Sequence, residues 1–157
     1  MWKDKIDYSI ETPSKAAVFG TFVTVNFKLI SLLKCLNIEA VHTAVKESQE
    51  LRHAEGDGKL SRWKALPRVI AEDHYRVSEN TETREVLNAH GCPQEGYEFA
   101  RDLEIPKSLR DCMQSVEAYG FKIKHTLEFH VSLRNPDGHV SEVCQSLAQL
   151  HIFANDS

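Results

Sequence analysis

The stretch "FKIKHTLEFHVSLRNPDGHVSEV", Phe121 to Val143, decides the fold. Ile123, His125, Leu127, Phe129, Val131 and Leu133 share one side. Lys122, Lys124, Thr126, Glu128, His130, Ser132 and Arg134 share the other. A period of two sustained this long marks a strand with one face in the core and one in water. Asn135-Pro136-Asp137-Gly138 ends it. Pro136 presets φ for the first central turn position, and Gly138 accepts the left-handed conformation that a G1 bulge needs. A three-residue loop returns Val143 opposite Val131 and leaves Glu142 in water. A two-residue loop would bury Glu142, so the bulged hairpin is expected.

Strand signals continue on both sides. Thr21 to Leu29 places Val23, Val25, Phe27 and Leu29 on one face and Thr24, Asn26 and Lys28 on the other. Ile6–Ile10 and Lys15–Phe19 are shorter candidates around the breaker Thr12-Pro13-Ser14. In Leu36–Leu51 the apolar positions change parity, as they do when a bulge inserts one residue. Arg52–Arg62, with Gly56-Asp57-Gly58, reads as a hairpin loop. Trp63–Val77 holds two weak strand candidates around Pro67. Residues 78–96 are polar and read as a loop, with a short helix a candidate over Thr81–His90. Tyr97–Ile105 is extended. Ile105–Gly120 fits two readings: a brief helix through Leu109, Cys112, Met113 and Val116, or a crossing connection that ends in a strand start. His139–Val143 and Leu147–Phe153 complete the strands. Many strands, polar turns and almost no helix predict an all-β antiparallel sandwich, in one domain over residues 1–157.

Bulk properties narrow the function. The formal charge of -4 argues against a nucleic-acid partner. The longest mainly apolar run, Phe27–Leu36, contains Lys28 and Lys34 and is too short to span a bilayer. No signal-peptide core follows Met1-Trp2-Lys3-Asp4-Lys5, so a cytoplasmic location is expected. Cys35, Cys92, Cys112 and Cys144 are widely spaced and read as free thiols, as in a reducing compartment.

No catalytic motif emerges. Ser132, His130 and Asp137 offer hydrolase residue types without a G-x-S-x-G elbow, and Gly56-x-Gly58 lacks the Lys-Ser/Thr of a phosphate loop. His125 and His130 are five apart and face opposite sides of a strand, and no H-x-x-x-H pair occurs, so no metal and no cofactor are expected. His125 reads as a sheet histidine with a hydrogen-bond partner. The functional candidate is a basic face: Lys122 and Lys124, with Lys28 on a neighbouring strand, and Lys34 and Arg134 as more distant members. Such a face would meet acidic protein tails or anionic lipid. The plainer reading is a solvated sheet face.

Two segments carry a family resemblance. "SKAAVFGTFVTVNFKLISLLKCLNIEAVHTAVKESQEL" (Ser14–Leu51) resembles the start of the arrestin C-terminal domain in fungal arrestin-related proteins, including its "FKLIPLLKGL"-like segment. In Gly96–Val143, Leu103, Ile105-Pro106, Leu109, Cys112 and Gln114-Ser115-Val116 match the family's "LPxxLxxCxQSV" segment, and Ile123 through Asn135-Pro136-Asp137-Gly138 matches its final hairpin. The resemblance covers about Ile6 to Phe153. It implies an immunoglobulin-like β-sandwich without an active site. It also implies an adaptor that links cytoplasmic tails of membrane transporters or receptors to a HECT-type ubiquitin ligase in endocytosis, with ties to carbon catabolite repression. The alternative expectation is a free-standing sandwich that holds a small ligand or lipid in its interior. Three departures stand out. The length leaves no room for the arrestin N-terminal domain. The five prolines are isolated, so the ligase-docking P-P-x-Y motif is missing. Cys35 stands where the family usually has Gly.

Overall fold

The apolar faces of two alternating segments, Phe22–Ser31 and Phe121–Arg134, meet to form one core. A computed structural model describes residues 5–154 apart from Lys34, Glu55, Asp57, Lys59 and Leu109. In chain order the elements are β1 (Ile6–Glu11), β2 (Ala16–Val18), β3 (Phe22–Ser31), β4 (Asn37–Ala54), β5 (Leu60–Lys64), β6 (Arg68–Arg76), α1 (Val77–Asn80), β7 (Arg84–Leu87), β8 (Pro93–Glu104), β9 (Val116–Ala118), β10 (Phe121–Arg134) and β11 (Val140–Phe153). One sheet runs β1-β3-β8-β7. The other runs β2-β11-β10-β4-β5, with β6 also on β4 and β9 also on β10. The pairs are antiparallel except β2 with β11, which is parallel. This is the expected all-β sandwich.

Phe27, Leu29, Leu127, Phe129 and Val131 lie between the sheets, each at most 1% exposed. Phe27 stacks on Phe99 at 5.0 Å, and Tyr8 meets Phe129 edge-on at 5.8 Å. These side chains fill the interior that the alternative reading would open to a ligand. At one margin Arg101 of β8 reaches across to Asp73 of β6 through two 2.8 Å hydrogen bonds and lies over the Tyr75 ring. A bidentate pair of this kind fixes the spacing of the sheets there.

The hairpin at Asn135 has the expected register. Val131 pairs with Val143, the Asn135 N–H donates to the His139 carbonyl, and Gly138 has φ 91. The parity change in β4 is a one-residue bulge at Glu39: Leu133 faces Ile38 and Ser132 faces Ala40. A second bulge, at Leu147, explains why β11 reads as two strands in the sequence. Val143 is buried before it, Leu150 and Ile152 after it, on opposite parities.

Several boundaries move. The Arg52–Arg62 loop is shorter than expected, because β4 and β5 take in residues at both its ends. Residues 78–96 are not a loop, and Thr81–His90 is not a helix. They contain the end of α1, β7 and the start of β8, joined by a turn in which the Asn88 carboxamide oxygen accepts the His90 and Cys92 N–H groups. β7 is an edge strand with only Val86 buried, so it lacks the alternation that signals a half-buried strand. Ile105–Gly120 is the crossing connection, ending in β9. Its brief-helix reading relied on Leu109, which lies outside the described residues. Cys35 has φ 66, a left-handed conformation that glycine adopts without strain. A Gly at this point, as in the resembled pattern, suits that conformation.

Candidate functional site

Lys122 and Lys124 project outward from β10, alternating with the buried Ile123 and His125. Lys28 does not join them. It projects outward from β3, in the other sheet, paired with Ser9 and Glu98. The outer faces of a two-sheet sandwich point in opposite directions, so the expected Lys28 contribution is corrected. Arg134 sits at the far end of β10 and is paired with Glu39 at 2.5 Å. Lys34 lies outside the described residues.

Side chains of β4, β5 and β9 take the place of Lys28. Across β5, β4, β10 and β9 the register reads Lys64, Glu50, Lys122, Glu117. In the next position Arg62 faces Arg52, and both guanidinium groups hold Glu50, at 2.5 and 2.7 Å. Those two arginines hold the Glu50 carboxyl down at about 2, so it is ionised at any physiological pH. Four residues before Glu50 on β4, on the same face, Lys46 pairs with Glu128 at 3.0 Å. The face is thus an alternating lattice with basic residues in excess, beside a groove of about 300 Å³ lined by Arg52, Glu117, Tyr119 and Lys122. Tyr119 stands fully exposed at its rim. Chemically it can bind anions in its gaps.

Beneath the opposite face of the same strands lies a cluster that sequence reading found only by half. His125 is fully buried, with three neighbours. Its Nδ1 meets the Ser115 hydroxyl at 2.7 Å, and its Nε2 meets Glu47 at 3.0 Å and Cys112 Sγ at 4.0 Å. Glu47, 1% exposed, also accepts hydrogen bonds from the Met113 N–H (2.8 Å), Arg68 (2.9 Å) and Gln49 (3.3 Å). Burial pushes the Glu47 carboxyl upward. The bonds from His125, Met113, Arg68 and Gln49 overcome it and bring the carboxyl down to about 2. The signal for Glu47 was in the sequence: extending Val41, Thr43, Val45 by two residues puts it on the buried face, across from His125.

Cys112, His125 and Glu47 are the residue types of a cysteine-hydrolase triad, but their geometry is wrong for one. In a triad the base uses opposite nitrogens for the nucleophile and the carboxylate. Here one nitrogen faces both. Burial, then the Glu47 charge, pushes the Cys112 thiol up to about 12, so it is neutral. The three donor atoms lie within 4.8 Å of one another, as metal ligands would. Both Glu47 oxygens are already occupied by donors, however, and the arrangement is a closed hydrogen-bond network. It anchors the connection before β9 to the core: the Ile152 N–H donates to the Ser115 hydroxyl, and the Ser115 N–H to the Ile152 carbonyl.

Among the described residues no helix is long and apolar enough to cross a membrane. The family model for the "Arrestin (or S-antigen), C-terminal domain" matches residues 2–152. A "Probable HECT-type ubiquitin ligase-interacting protein creD" from Neosartorya fischeri is 40% identical over 94% of this chain and 24% of its own length. One of the same description from Aspergillus clavatus has the same identity and coverage. The "HECT-type ubiquitin ligase-interacting protein creD" of Emericella nidulans is 38% identical, again over 94% and 24%. The chain therefore spans about a quarter of the length of these curated relatives.

Proposed function

This chain belongs to the arrestin C-terminal domain family, and from that premise we propose that it is a non-enzymatic adaptor domain. It serves ubiquitin-dependent endocytosis and trafficking of membrane transporters or receptors, in the cytoplasm and at the membranes where such cargo resides. The observation that carries this reading is the family match over residues 2–152, with relatives named for their interaction with a HECT-type ubiquitin ligase. The sandwich interior is packed with side chains, which supports a role for the surface over one for a bound small molecule.

The lattice around Lys122 and Lys124 is the surface for acidic cytoplasmic tails. Lys122 lies between Glu50 and Glu117, so a tail must present its carboxylates in the gaps, and selectivity comes from spacing as well as sign. These residues contain no P-P-x-Y motif, so a ligase contact made by this domain uses some other surface of it.

Titration of an acidic transporter-tail peptide at low and at physiological salt tests the docking face. Binding should weaken steeply with salt, because exposed charges are screened within about 8–10 Å. The double variant Lys122→Glu, Lys124→Glu should abolish binding while shifting stability by only about 0.5 kcal/mol. Equal binding by wild type and variant would reduce this face to scaffold. Binding to anionic vesicles but not to peptide would assign the face to the membrane.

A further inference from the structure

Four adjacent strands carry a row of metal-binding side chains on the outer face of the larger sheet. His74 of β6 faces His42 of β4, His42 faces His130 of β10, and His130 faces Cys144 of β11. No two of these residues are close in sequence, and linear spacing hides them. Glu72, two residues before His74, points to the same side. From this arrangement we propose that His42, His74 and Glu72 bind a divalent transition-metal ion of the zinc class.

The His42 and His74 rings are stacked, with centroids 4.0 Å apart and planes within 7°. Both Nε2 atoms face one carboxylate oxygen, Glu72 Oε2, at 3.2 Å from His42 and 3.9 Å from His74. Only the first distance is a hydrogen bond. The three donor atoms are gathered with one hydrogen bond among them, and His74 Nε2 makes none to Glu72. All three donor atoms lie within 4.8 Å of each other. Zinc–nitrogen and zinc–oxygen bonds of about 2.0–2.2 Å place tetrahedral donors roughly 3.3 Å apart. In the stack the two Nε2 lone pairs lie in parallel planes, so ion binding requires the His74 ring, whose side chain is 72% exposed, to rotate out of the stack until the three donors converge at that spacing. Two imidazoles and a carboxylate select a borderline ion such as zinc over calcium or magnesium, which take oxygen.

The site opens on a groove of about 540 Å³ that also holds Glu39, Glu79, Glu142 and Arg76. Arg134 pairs with Glu39 and Arg76 with Glu79, so Glu142 supplies the excess negative charge there. Three protein ligands leave a fourth position open to water or to a donor from a partner. Cys144 lies outside the ligand set, its Sγ 3.4 Å from His130 Nε2. Linear spacing, from which no metal is expected, keeps these residues apart, and the placement of the strands brings them together.

Isothermal titration of untagged, chelator-treated protein with zinc chloride tests the assignment. The wild type should bind one ion per chain and melt at a higher temperature with zinc present. His42→Ala and His74→Ala should each weaken binding at least tenfold. His74→Ala should melt like the wild type without zinc, since its side chain is exposed. Cys144→Ser should bind as the wild type does, and cobalt substituted for zinc should show no thiolate charge-transfer band. The proposal is overturned by lack of saturable binding, by binding that survives His42→Ala with His74→Ala, or by binding lost in Cys144→Ser.

Discussion

Replacing Glu47 by Gln keeps the shape of a fully buried side chain and removes its charge. One amide oxygen cannot accept from His125, Met113, Arg68 and Gln49 together, and the new NH₂ faces groups that were donating. Two routes give the cost. Folding brings the carboxyl from 4.5 to about 2, and at ~1.4 kcal/mol per unit that is about 3 kcal/mol. Breaking a buried, hydrogen-bonded ion pair from one side costs about 3–5 kcal/mol. The pH dependence separates this from a simple packing defect. Because the folded carboxyl titrates lower than the unfolded one, its stabilisation is complete well above 4.5 and is lost as pH falls through that value toward 2. The gap between wild type and Glu47→Gln, about 3 kcal/mol at neutral pH, should shrink by roughly 1 kcal/mol at pH 4 and roughly 2 kcal/mol at pH 3. Urea unfolding of both proteins across this range measures it, and the other carboxylates cancel in the difference. A gap under about 1 kcal/mol at neutral pH, or one that stays constant with pH, would refute the assignment of Glu47 as a stabilising buried charge.

Phe129→Ala should destabilise by about 3–5 kcal/mol in the same assay, through lost transfer energy and the cavity left behind; a change within noise would mean the strand faces are inverted. Thr43 is fully buried, and its hydroxyl has no partner among the described residues. Thr43→Val should therefore raise stability by about 1 kcal/mol, and a loss would mean the hydroxyl is satisfied. Cys35→Gly should gain about 0.5–1 kcal/mol, since relief of the left-handed strain exceeds the entropy glycine adds to the unfolded chain; a lower melting temperature would rule that strain out.

Long alternating segments carried the fold in the sequence. β3 and β10 each commit a whole face to the core, so their parity is legible residue by residue, and the Pro136-Asp137-Gly138 turn then sets one register by local chemistry. Strands at edges were harder. β7 buries one residue in four and looks like a loop, and β11 changes phase at Leu147. The candidate face was half legible. Lys122 and Lys124 have the parity expected, but which strands flank them is a matter of sheet order, which one-dimensional periodicity does not contain. Lys28 therefore falls in the other sheet, and Arg52, Arg62 and Lys64 join the face only once β4 and β5 pair. His42, His74 and His130 illustrate the same limit, since their proximity exists only after two registers are set.

The pairing of β2 and β10 with β11 has a consequence for biosynthesis. β11 follows every other strand in the chain, yet it covers one edge of β10 from His125 to Arg134 and ties down β2 through the sole parallel pairing described. A nascent chain emerging from the ribosome therefore presents the core strand β10 with an open edge until β11 is made. Open, apolar strand edges recruit other chains. Early termination near the Asn135 turn would leave that edge bare permanently and open to pairing with other chains. The turn is thus a point where chaperone attention matters more than its exposed, polar sequence would suggest.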